Sequence, residues 1–162
     1  MSKRLIIMRH AKSSWTSAAA TDHQRPLNKR GRRAAPRIGA RLRDLGWIPD
    51  LVIASDSERT RETWQHMQAE FPHSIEQRFN SSFYHGGLAA IASACTMLTK
   101  ATSTLLVLGH NPGWEDAVAD LSGQWVRMTT ANAALLESDA EDWAEAMRTN
   151  WVLVEVLRPK EL

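Results

Sequence analysis

Three short, nearly unbroken apolar runs constrain this chain more than anything else in it: Leu5-Ile6-Ile7-Met8, Leu51-Val52-Ile53-Ala54 and Thr104-Leu105-Leu106-Val107-Leu108. Each is too short for a helix and lacks the alternation of a strand with one wet face, so each reads as a strand covered on both sides. The segments between them have helical spacing. From Asn28 to Leu45 the residues Ala34, Ala35, Ile38, Leu42 and Leu45 recur on one face, Gly46 ends the helix, and Pro36 is expected to kink or break it. A second helix follows Ser55, whose spacing to Glu58 suits a capping box, and runs to about Glu70. A short extended piece from Ser74 to Phe79, a loop from Asn80 to Gly87 and an alanine-rich helix from Leu88 to about Leu98 come next. Asn111-Pro112 opens a further helix ending before Gly123. Strands around 133–137 and 151–157 flank a weaker helical stretch near 140–147. Such alternation predicts an α/β fold, three layers deep, with a mostly parallel central sheet. At 162 residues and 43% hydrophobic content, one domain spanning 1–162 is expected.

The single cysteine, Cys95, excludes an internal disulfide framework. No charged-then-apolar leader opens the chain and no run approaches a membrane span, so a cytoplasmic protein without membrane contact is expected. Most of the seven tryptophans, spread from Trp15 to Trp151, are expected to be partly buried packing residues, and the small-residue segment from Ser17 to Thr21 to lie in a loop. Net charge is only +2, yet no acidic residue stands between Asp22 and Asp44, where Arg25, Lys29, Arg30, Arg32, Arg33, Arg37, Arg41 and Arg43 all fall. That run either solvates a helix face or receives an acidic partner. No aromatics interleave it, which disfavours nucleic acid.

The ends of the buried strands carry the chemistry. The first runs into Arg9-His10 and the third into Gly109-His110; side by side in a parallel sheet, they bring both imidazoles to one carboxyl edge. Histidine can act as a nucleophile toward phosphorus when one ring nitrogen is unprotonated and the other is held by an acceptor. Arg9 offers a planar fork of donors for phosphate oxygens. His110 precedes a helix start whose free backbone donors face an anion, and a histidine there can stabilise charge on a five-coordinate phosphorus. Arg59, just past the second strand, is a cation in the first turn of a helix, unfavourable unless an anion compensates it. A zinc site on the two histidines is disfavoured by Arg9 at the same edge, and no metal is expected.

Four segments, in this order, carry a family likeness: Arg9-His10-Ala11-Lys12-Ser13, Arg25-Pro26-Leu27-Asn28-Lys29-Arg30-Gly31, the run from Ser55 to Thr63 with Arg59, and Gly109-His110-Asn111-Pro112. Together they resemble the histidine phosphatase superfamily, with its phosphoglycerate mutase-like fold, and within it the small SixA-type phosphohistidine phosphatases. The resemblance implies a two-step reaction without cofactor. His10 would be phosphorylated, Arg9, Arg59 and His110 would form the positive pocket, and water would hydrolyse the phosphohistidine. Lys12, Ser13, Arg25 and Asn111 are the expected substrate contacts, although Arg25 suits an ion pair with Asp22 as well, and Lys12 a place at the pocket mouth.

Ala11 stands where the family usually has glycine. A larger departure lies between Phe79 and His85, where mutase-like members carry an acidic general acid and this chain has no carboxylate. Without an acid an alkoxide leaves slowly, which favours a leaving group that departs easily or already protonated, such as the nitrogen of a phosphoramidate. The expected substrate is therefore phosphohistidine on a phosphotransfer protein. A small phosphomonoester remains the alternative, with Asp22 as the candidate acid and Glu115 second; a non-catalytic phosphate- or nucleic-acid-binding module is the third reading. His85 is read first as a loop residue.

Overall fold

A computed structural model describes residues 2–16, 18–19 and 21–162; of the loop expected over Ser17 to Thr21, Ser17 and Ala20 lie outside the described residues. Among the described residues the elements run β1 (Lys3–Arg9), α1 (Lys29–Asp44), β2 (Leu51–Ala54), α2 (Glu58–Met67), β3 (Glu76–Phe79), α3 (Leu88–Cys95), β4 (Thr104–Gly109), α4 (Gly113–Ser122), β5 (Ala133–Ser138), α5 (Trp143–Ala146) and β6 (Val152–Leu157). The sheet order is β3-β2-β4-β1-β5-β6. β3, β2, β4 and β1 are mutually parallel, while β5 runs antiparallel to both β1 and β6. The expected mostly parallel sheet is therefore present, with its antiparallel part at one edge.

Period-two alternation sorts each central strand between two cores. Leu5, Ile7, Leu51, Ile53, Leu105 and Val107 face α3, α4 and α5, packing on Ile91, Trp114, Val118 and Trp143. Ile6, Met8, Val52, Ala54, Leu106 and Leu108 face α1 and α2, packing on Ala35, Ile38, Leu42, Trp64 and Met67. The result is the three-layer α/β/α arrangement. Five tryptophans are almost fully buried, more than the partial burial expected; Trp15 and Trp125 are exposed. Burial pushes the Cys95 thiol up to about 12, which suits a packing residue.

α1 is continuous through Pro36, so of the kink or break expected there the break does not occur. Its inner face, Gly31, Ala35, Ile38, Gly39 and Leu42, is buried throughout, and that packing outweighs the hydrogen bond the proline removes. Asn28 caps it by accepting from Gly31 N at 2.9 Å, and Gly46 leaves it at φ +77°, a conformation glycine takes without strain. Gly31 also packs where a Cβ would stand 2.1 Å from the Lys12 carbonyl oxygen, so this turn fits closely against the segment that follows β1. The register pairs Arg9 with Gly109, and His10 N donates to Gly109 O at 3.0 Å. That pairing sets His10 and His110 side by side at the carboxyl edge. Among the described residues no helix is long and apolar enough to cross a membrane.

Candidate active site

His10 and His110 lie with ring centroids 5.2 Å apart and are only 6% and 4% exposed. Between them sits the Arg59 guanidinium, whose Nε donates to His10 Nε2 and whose Nη2 approaches His110 Nδ1, each at 3.4 Å. A guanidinium has no lone pair to offer, so both ring nitrogens facing it are acceptors. The protons therefore sit on the far nitrogens. His10 Nδ1 donates to the Ala11 carbonyl at 2.7 Å, and His110 Nε2 donates to Ser55 Oγ at 2.9 Å. Burial lowers the pKa of His10 well below the usual imidazole range, helped by the His110, Arg59 and Arg9 charges. Burial first, then the Arg59 and His85 charges, lowers His110 to about 3. Both rings are neutral at neutral pH.

These shifts carry a stability prediction. Between an unfolded value of 6.5 and about 3, the unfolded chain takes up a proton that folded His110 refuses, so folding stability falls as pH drops through that window. Asp22 adds to the loss between 3.8 and about 2. Denaturant midpoints measured from about pH 7 to 4 should fall steadily; midpoints that stay level would place both imidazoles in an ordinary aqueous environment.

Arg59 itself is held by Asp22, whose main-chain oxygen accepts from Nη1 at 2.8 Å and whose Oδ2 accepts from Nη2 at 3.1 Å. Asp22 is thus the anion that compensates a cation in the first turn of α2. Its Oδ2 also accepts from Tyr84 Oη at 2.6 Å, and Oδ1 from Arg25 Nη2 at 3.2 Å. The Tyr84 hydrogen bond, with Arg59 and Arg25, lowers Asp22 to about 2. Held ionised by these donors, Asp22 has no proton to give in this arrangement, which speaks against the acid role expected of it. Glu115 is committed too, with Oε2 accepting from Met128 N at 2.7 Å.

The expected substrate contacts divide. Arg25 Nη1 donates to Ser13 Oγ, and the guanidinium lies 3.7 Å over the Trp15 ring. Ser13 and Arg25 therefore brace the 13–27 segment through each other, and Arg25 makes the ion pair with Asp22 for which the sequence suits it. Asn111 neither caps α4 nor faces outward: Nδ2 donates to Met128 O at 2.8 Å, Pro112 takes the N-cap position without a side-chain bond, and Asn111 Oδ1 is buried without a partner. Arg9 Nη1 donates to the same Met128 carbonyl at 3.1 Å, and its buried Nε has no partner. Arg9 is not hydrogen-bonded to either ring, but its charge lowers the pKa of both. The Lys12 side chain is exposed. His85 stands at φ +62° with its ring 6.5 Å from that of His110.

Two residues at the site escaped the sequence reading. Tyr84 lies in the loop noted for its missing carboxylate; its ring is edge-on to His110 at 5.4 Å. Ser55 had the spacing of a capping box with Glu58, yet Ser57 is the N-cap of α2 and makes no side-chain cap bond. Ser55 Oγ is spent on His110 instead, and also accepts from Ser57 N at 3.3 Å. Ser55→Ala removes the nearer of two hydroxyls facing His110 Nε2, leaving Ser57 Oγ at 3.5 Å, and the loss of one buried hydrogen bond should slow turnover about tenfold. Nitrogen NMR should show the His110 Nε2 resonance shifted in that variant with the tautomer kept by Arg59; an unchanged spectrum would show that Ser55 does not bond the ring.

Comparison with known proteins agrees with this geometry. The model of the histidine phosphatase superfamily (branch 1) matches residues 5–81. An uncharacterized chloroplastic protein of Arabidopsis thaliana is 40% identical over 157 residues, which is 90% of this chain and 71% of that protein. The structure of a candidate phosphohistidine phosphatase SixA from Nakamurella multipartitia superposes with TM-score 0.85 at 26% identity, covering 98% of this chain and 97% of that one. That of the protein histidine phosphatase SixA complexed with tungstate superposes with TM-score 0.84 at 19% identity, covering 98% of each chain. The family match and the fold together define a phosphatase. The chain belongs to the histidine phosphatase superfamily and is of the SixA type.

Proposed function

We propose that this chain is a metal-independent phosphohistidine phosphatase of the cytoplasm, acting on a phosphorylated protein through a phosphohistidine intermediate on His10. The observation that carries this reading is the pinned tautomer of His10: Nδ1–H is held by the Ala11 carbonyl, and the Nε2 lone pair is turned into a pocket of positive charge. In the first step Nε2 attacks phosphorus and the substrate's P–N bond breaks, its electron pair returning to the departing ring nitrogen. The leaving imidazole, protonated on its other nitrogen, departs neutral, and His10 becomes the N-phosphoimidazolium with its Nδ1–H still donating to the Ala11 carbonyl. No proton has to be supplied. In the second step water attacks phosphorus, the bond to Nε2 breaks, and the water proton passes to a phosphoryl oxygen. Neutral His10 and dihydrogen phosphate result. As the phosphoryl oxygens take the Arg59 donors, with Arg9 adding its charge, the His110 Nδ1 lone pair that Arg59 releases accepts from the attacking water and orients it. A metal ion between the rings would meet the Arg59 guanidinium, 3.4 Å from each.

This balance also supports P–N over ester substrates. An alkyl phosphate must expel an alkoxide, and Asp22 at about 2 is no acid for it. Phosphoramidate or a phosphohistidine peptide should be hydrolysed at least about a hundredfold faster than glycerol phosphate, the lower end of what a missing general acid costs. Because His10 is already neutral, kcat/KM on phosphoramidate should not fall with enzyme protonation between about pH 7.5 and 5.5, where an ordinary imidazole would lose about tenfold. Faster ester turnover would favour the phosphomonoester reading, with Tyr84, whose pKa is raised by burial and Asp22, as the proton donor.

A further inference from the structure

Lined by Arg9 and Lys12, which stand either side of His10 and Ala11 in the chain, though by neither histidine ring, lies a cleft of ≈ 320 Å³ whose charged lining is entirely positive: Arg9, Lys12, Arg30, Arg127 and Lys160. These five come from separate parts of the chain, namely the end of β1, the segment after it, the first turn of α1, the approach to β5 and the 3-10 turn Pro159–Glu161. Like charges brought together by five segments repel one another, and a fold keeps them so only with compensation from solvent or a ligand. Inside the molecule little compensation exists. Among the described residues the side chains of Lys12, Arg30, Arg127 and Lys160 make no ion pair. Of the nearby acids, Glu115 accepts from Met128 N while its charge favours the charged form of Arg9, and Glu161 lies with Arg158 at 4.0 Å. The arginine run of α1 divides in the same way. Arg32, Arg37 and Arg43 donate to the carbonyls of Leu27, Leu162 and Glu70, whereas Arg30 is left to the cleft.

We propose that this cleft docks an acidic segment of the substrate protein, its Asp and Glu carboxylates meeting Arg30, Arg127, Lys12 and Lys160 while the neighbouring phosphohistidine enters between His10 and His110. The proposal rests on the phosphohistidine reading of the histidine site and adds what selects the substrate. Several separated cations match several carboxylates along a chain better than one compact phosphate, for which a single fork of donors suffices. No aromatic side chain lines the cleft, so it offers single-stranded nucleic acid no stacking platform. Binding of this kind is screened by salt and adds to association more than to the chemical step.

The test uses two histidine-phosphorylated peptides of equal length, one with Asp and Glu around the phosphohistidine and one with Asn and Gln there, alongside free phosphoramidate. Unphosphorylated, dye-labelled copies report binding by fluorescence anisotropy whether or not turnover occurs. The full chain should bind and turn over the acidic peptide about tenfold better than the neutral one at low salt, the gap closing at high salt. The double variant Arg30→Glu with Arg127→Glu should abolish the gap, and Arg33→Glu, the same charge change on α1 outside the cleft, should keep it. Equal binding of the two peptides by the wild-type chain, or a gap that survives in the double variant, overturns the docking site; so does binding of a short RNA in preference to the acidic peptide. Failure of the wild-type chain to hydrolyse phosphoramidate overturns instead the function assigned to the histidines, and leaves the anisotropy result to decide the cleft by itself.

Discussion

His10→Ala is expected to lower phosphoramidate turnover by at least about 10⁴-fold and to leave no acid-labile phosphoenzyme, the scale of loss when a nucleophile is removed. The effect should be chemical rather than structural. The main chain at this position is held by His10 N on Gly109 O and by Ala131 N on His10 O, and neither bond uses the ring. Removal of an imidazole with a depressed pKa also removes a group that resists burial in its charged form, so stability in mild acid should rise rather than fall. A variant that keeps its melting temperature near neutral pH and loses turnover separates the two roles. Retention of turnover in a folded His10→Ala chain would mean that another group receives the phosphoryl.

Arg59→Ala should be the next most damaging substitution, lowering kcat by about 10²- to 10³-fold, as the loss of a preorganised donor to developing charge does. Among the described residues the guanidinium is the one side chain hydrogen-bonded toward both rings, and its removal leaves the Asp22 carboxylate, still accepting from Tyr84, beside a pocket meant for an anion. Repulsion of the phosphoryl group should raise KM as well. Arg59→Lys should recover little, because a single ammonium cannot span the donors at Nε, Nη1 and Nη2 that engage His10, His110 and Asp22. Full activity in Arg59→Lys would reduce the site's need to one positive charge. Because Arg59 is anchored by Asp22, Asp22→Ala should depress P–N and ester hydrolysis together, whereas an acid role for Asp22 requires the ester reaction alone to suffer.

What the chain reveals before folding follows the range of the forces involved. Strand runs such as Leu5–Met8 and Thr104–Leu108 are legible because both faces are buried, and their register carries His10 and His110 to one edge. The break expected at Pro36 was overridden by tertiary packing of α1, which local preference cannot register. Ser55 looked like a cap because Ser-x-x-Glu spacing is a local signal, but its hydroxyl answers a histidine 55 positions away. Tyr84 carries no charge to mark it in the sequence, and its place at the site depends on Asp22, 62 positions away. The Arg25 ion pair with Asp22 is legible as a match of charges three residues apart, whereas the Arg25 bond to Ser13 is set only by the folded chain.

The measurement that bears most directly on the central claim is rapid acid-free quenching of the wild-type chain during turnover of a phosphohistidine peptide, followed by mapping of the phosphorylated residue. The phosphoryl group should be found on His10 alone, on a nitrogen whose bond is stable in alkali and lost in acid, forming no more slowly than the peptide turns over. Label on any other residue, or steady turnover with no phosphorylated chain formed at that rate, would contradict the account.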